Sequence, residues 1–152
     1  MKNLLYPVMF FFLTGLSFSS NAQKSSRIII EEVSGENRVI IKIDGKEFTS
    51  YIWPDDMKKP VLYPLRSAEG IIITRGFPLD PAPGERVDHP HHVGHWLNYG
   101  NVNGLDFWNN SYAVPENKKE HYGKIKHEKI KLIKHENNKG ILVVETSWRD
   151  HK

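Results

Sequence analysis

The chain has 152 residues, no cysteine and a formal charge of +3. The missing thiols exclude a disulfide framework, thiolate chemistry and a cysteine-borne lipid anchor. The lysines of 118–139 alternate with Glu116, Glu120, Glu128 and Glu136, so they read as a solvated face and exclude nucleic acid and an anionic membrane as partners.

Residues 1–22 read as a signal peptide. Met1-Lys2 supplies the positive start, Leu4 to Phe18 is almost unbroken apolar sequence, and Ser20-Asn21-Ala22 offers small residues for cleavage. The apolar run is about 15 residues, short of the roughly 20 that span a bilayer. The expectation is export to the periplasm or the cell exterior, with no membrane attachment after the signal is removed. Residues 23–152 then form one small domain.

That domain reads as all-β. Arg27 to Val33 and Arg38 to Asp44 are β-branched runs joined through Ser34-Gly35, the pattern of an antiparallel hairpin. In the second run Val39, Ile41 and Ile43 share one face and Arg38, Ile40 and Lys42 the other. Asp44-Gly45 is a strong turn signal, and Lys46 to Trp53 returns as a strand. Pro54 to Pro60 is polar loop, and Val61 to Leu65 suits a sheet edge because of Pro64. Ile71 to Thr74 is a short apolar run that predicts a strand buried on both faces.

Gly76 to Arg86 carries three prolines and a second glycine, and predicts an irregular loop. Asn98 to Gly104 has turn chemistry, Leu105 to Trp108 is short and extended, and Asn109 to Lys119 is polar loop. Lys124 to His135 has no continuous helical stripe and predicts a twisted, bulged strand. Asn137 to Gly140 is a turn, and Ile141 to Trp148 the returning strand. The last residues open another turn without a closing strand, so the domain is expected to be incomplete at its C-terminal end. Trp53 and Trp148 are expected in the core or on a sheet surface, and His121, His127, His135 and His151 in solvent.

The loop ends in Asp88-His89-Pro90-His91-His92-Val93-Gly94-His95-Trp96. Half of the eight histidines and, with Trp108, two of the four tryptophans fall in 88–108. Buried imidazoles and carboxylates cost free energy unless paired, so this mixture reads as a site. Pro90 keeps His89 out of a helix and predicts an extended conformation. Alternation would then project His89 and His91 together, with Asp88 and His92 opposite.

Two chemistries fit. In the first, His89, His91 and His92 are acid–base groups with Asp88 or Asp106 as partner. Trp96 and Trp108 would stack on a sugar ring, and Asn98 and Asn103 would bind its hydroxyls. This reading takes a carbohydrate or other small ligand and no cofactor. In the second, His89 and His91 hold a divalent metal such as zinc, with His95, Asp106 or a residue beyond the C-terminus as third ligand, in a hydrolase or oxygenase. A third alternative is a non-catalytic surface module, in which the cluster only orders loops.

Four segments carry a family resemblance: Lys59-Pro60-Val61-Leu62-Tyr63-Pro64-Leu65, Thr74-Arg75-Gly76-Phe77-Pro78, Asp88-His89-Pro90-His91-His92, and Val102 to Trp108. Their succession resembles that of PmoA-like proteins, exported bacterial proteins of unknown function often labelled "methane oxygenase PmoA". The resemblance implies a β-sandwich similar to the galactose-mutarotase-like supersandwich, a fold that mainly binds or transforms carbohydrate. It also implies a chain about twice this length.

Overall fold

Asp44 and Gly45 both have positive φ, 51° and 79°, as a two-residue turn between right-twisted strands requires. They join β2 (Arg38–Ile43) to β3 (Lys46–Ile52). A computed structural model describes residues 27–150; residues 1–22, which the sequence reading takes as a signal peptide, and His151 lie outside them. β1 (Ile28–Glu32) pairs with β2, and β4 (Val61–Leu62) with β3, giving an antiparallel sheet in the order β1-β2-β3-β4. A bulge places Phe48 between the pairs Ile41–Thr49 and Lys42–Glu47. It brings the Glu47 carboxylate to the Ser50 hydroxyl, and Arg38 donates to both.

β5 (Lys124–Glu136) and β6 (Lys139–Arg149) form a long hairpin that is a sheet of its own. The expected bulges in β5 are present, between His127 and Lys129 and between Ile130 and Leu132. The hairpin packs Ile130, Ile133, Leu142 and Val144 on Ile30, Val39 and Tyr51 of the four-stranded sheet. Ile30 and Val39 are buried, and each contributes about 1.5–3 kcal/mol; the four hairpin residues are partly buried and contribute less. At the hairpin's tip the chain runs close over β1. A Cβ on Gly140 would meet Ile28 Cγ2 at 2.8 Å and Ile30 Cδ1 at 2.9 Å. The fold is all-β and antiparallel, as the strand pattern predicts.

Two expectations are corrected here. Ile71, Ile72 and Ile73 are exposed, 65%, 44% and 65%, and form no named strand. They belong to a small excursion closed by Ser67 and Leu65 backbone bonds to Ile71 and Ile73, with Gly70 in the turn. His127 is not solvated. It stacks on Trp53 at 4.0 Å and its Nδ1 lies 3.1 Å from the Tyr51 hydroxyl, tying β5 to β3.

The connection from β4 to β5 runs over residues 63–123 and carries one 3-10 helix, Glu116–His121. Among the described residues no helix is long and apolar enough to cross a membrane.

Candidate functional site

The proline-rich loop before the histidines lacks strand pairing, and one side chain supplies the missing acceptors. The Glu85 carboxylate accepts from the backbone N–H groups of Gly76 (2.7 Å), Phe77 (3.0 Å) and Ala82 (3.0 Å). These bonds, that from Ala82 first, hold its acidity below the usual carboxylate range against the opposing push of desolvation. Arg75 fixes the loop's other end, donating to the Arg86 carbonyl at 2.6 Å and to Asp88 at 3.4 Å. The loop therefore delivers Asp88 in a set place.

His89 is not extended. Its φ is +49°, which still satisfies the exclusion from right-handed helix that Pro90 imposes. The left-handed residue starts a turn in which the His92 N–H donates to the His89 carbonyl at 2.9 Å. A turn places side chains differently from a strand, so the expected two-and-two alternation gives way to convergence. The His89 and His92 rings stack at 5.0 Å, and His91 meets His92 edge-on at 4.3 Å. Asp88 lies 3.3 Å from His89 Nδ1.

Gly94 then turns the chain back onto β4. Its φ is +56°, and a Cβ there would lie 2.4 Å from the Leu62 carbonyl oxygen. His95 and Leu62 exchange both backbone hydrogen bonds, at 2.8 and 2.9 Å. The His95 side chain is exposed and lines an apolar groove of about 450 Å³ with Leu62, Leu97 and Trp148, among others. Among the described residues no group of three or more His, Cys, Asp or Glu is placed to hold a metal ion.

Trp96 and Trp108 flank the turn, 5.7 and 6.4 Å from the His92 ring and 5.7 Å from each other. They are not equivalent. Trp108 is 41% exposed and open to a ligand. Trp96 is half-buried, and its Nε1 is buried without a hydrogen-bond partner. The remaining candidates hold loops. Asn98 donates to the Phe107 carbonyl at 2.8 Å and accepts from Tyr99. Asn103, with φ +54°, forms a tight turn with Gly104. The two Asp106 oxygens accept from the backbone and side chain of Asn109, at 2.9 and 2.7 Å.

One residue of the site falls in the segment whose sequence reads as polar loop. Lys59 is 3% exposed. Its ammonium lies 4.8 Å from the centroid of the Trp96 ring and donates to the Trp108 carbonyl at 3.2 Å. The chain bends at Lys58 and Lys59 before β4 begins, so no strand alternation marks Lys59 as buried. Burial brings its pKa down to about 8, with the Asp106 charge opposing.

Burial also lowers the pKa of His91 and His92, and the positive charges of the cluster, Lys59 among them, act the same way. Both imidazoles are therefore mainly neutral at pH 7 and able to accept a proton. Asp88 is held below the carboxylate range: desolvation pushes upward, but the His89 hydrogen bond and Arg75 outweigh it.

The model of a family of unknown function, DUF6807, matches residues 38–152. The chain belongs to DUF6807. No curated protein matches it, and no solved structure does. The DUF6807 match begins at β2 and takes in the whole histidine turn, Lys59 and the two tryptophans.

Proposed function

We propose that this DUF6807 protein is exported and binds or processes carbohydrate, with the histidine turn as its acid–base group. The observation that carries the reading is the convergence of His89, His91 and His92 beside the exposed ring of Trp108. Neutral imidazoles supply a base at neutral pH, and the Asp88–His89 pair a group that stabilises an imidazolium. An exposed indole is a flat apolar surface suited to the face of a pyranose. The resemblance to exported PmoA-like proteins supports the same reading through its implied supersandwich, as an analogy of fold.

Calorimetry of the full chain against plant and microbial glycans tests this. Binding to at least one glycan is expected, weakened about tenfold, some 1.4 kcal/mol, by Trp108→Ala. No binding to any glycan sinks the proposal. Binding that persists in chelator fits the metal-free reading; loss in chelator and recovery with zinc replaces it with the metal-dependent one.

A further inference from the structure

We propose that the cavity between Lys59 and His91 receives the anionic substituent of an acidic sugar, with the Lys59 ammonium as its counter-ion. The inference rests on the carbohydrate reading and narrows its substrate class.

The first observation is a buried cation without a direct ion pair. Lys59 takes part in none of the ion pairs among the described residues. Its polar partners are a carbonyl and the face of an indole. Burying an ammonium is costly unless a counter-charge offsets the lost hydration. The Asp106 charge reaches Lys59 only through space, and neither it nor Asp88 makes an ion pair with the ammonium. Asp106 is turned to Asn109, and Asp88 to His89 and Arg75.

The second observation is space. Lys59 and His91 line a cavity of about 170 Å³ with Asn110, Ser111 and Tyr112. At about 30 Å³ per water this holds five or six water-sized groups, enough for a carboxylate or sulfate and part of its ring. Asp56 also lines it, but is exposed and has Lys58 beside it. A neutral hydroxyl at this point would leave the ammonium unpaired; an anion would complete it. Arg75 adds positive potential on the same side of the site.

The test is calorimetry of the full chain at pH 7 with three probes: a uronic-acid oligosaccharide, its carboxyl-reduced neutral counterpart, and a sulfated oligosaccharide of the same backbone. The expected result is at least tenfold tighter binding of an acidic probe than of the neutral one. Lys59→Arg retains that preference and Lys59→Met abolishes it. Preference for the sulfated over the uronic probe identifies the anion as sulfate. Equal affinity for acidic and neutral probes overturns the inference and leaves the carbohydrate reading standing; no binding of any probe overturns both. Should Lys59→Met fail to fold, the wild-type chain decides. Its acidic preference must shrink between pH 7 and pH 9 as Lys59, with its pKa near 8, loses its proton. A preference that does not change over that range overturns the inference.

Discussion

The Tyr51 hydroxyl lies 3.1 Å from Nδ1 of His127, with Trp53 stacked on the same imidazole. It is a polar tie between the two sheets. Tyr51→Phe leaves the imidazole nitrogen without this partner while preserving the ring's packing. The expected loss is about 1–2 kcal/mol, read as a lower urea midpoint at unchanged slope. Glycan affinity should not change, because the pair is not part of the histidine turn. An unchanged midpoint would show that the pair contributes nothing to the fold.

Lys59 gives the protein an unusual alkaline profile. An ordinary lysine titrates at 10.5 and this one at about 8. Between those values the unfolded chain binds more protons than the folded one, so stability rises with pH across the window, by roughly 3 kcal/mol at most. Tyr51, pushed up to about 12 from 10.0 by burial, acts in the opposite sense. From pH 10 upward its ionisation favours the unfolded chain. Denaturation curves should therefore show a stability maximum near pH 10, and Lys59→Met should remove the rise that precedes it.

The acid side belongs to the imidazoles. His91, His92 and His127 all titrate below 6.5 in the folded chain, chiefly through burial. As pH falls through 6.5 the unfolded chain takes up protons first, so stability declines just below that value. The double substitution His91→Gln, His92→Gln should flatten the decline without abolishing it, since His127 remains. A decline of the same depth would contradict the burial of the pair.

Gly94→Ala tests how the turn is held. The new methyl would lie 2.4 Å from the Leu62 carbonyl oxygen, at a residue with φ +56°. A left-handed non-glycine residue alone costs about 1 kcal/mol or more, and the backbone clash adds to it. The expected outcome is a folded protein with a displaced histidine turn: the midpoint drops modestly and glycan binding is lost. Full binding would mean that the exchange between His95 and Leu62 does not position the site.

The sheets were legible because their signals are local. Asp44-Gly45 and the alternation of Val39, Ile41 and Ile43 need no partner to be read. β5 was harder, for a physical reason. Its inward residues are Ile125, His127, Ile130 and Ile133, spaced two, three and three, because each bulge inserts one residue. That spacing is neither helical nor strictly alternating. The site was legible in composition and not in geometry. Pro90 excludes helix at His89, but the choice between extended and left-handed backbone is made by tertiary contacts around Arg75 and Leu62. Ile71 to Ile73 misled because an apolar run carries no mark of whether anything packs on it.

The two-residue strand β4 has a consequence for measurement. One edge of Leu62 belongs to the sheet, through Tyr51, and the other is closed by His95. The Leu62 N–H donates to the His95 carbonyl at 2.8 Å, so its protection from hydrogen exchange depends on the turn and not on the sheet. Opening the turn exposes this amide while its neighbours in β3 stay protected. The exchange rate of a single backbone proton thus reports how often the histidines leave their place, and a ligand that holds them there will slow it before any chemistry is known.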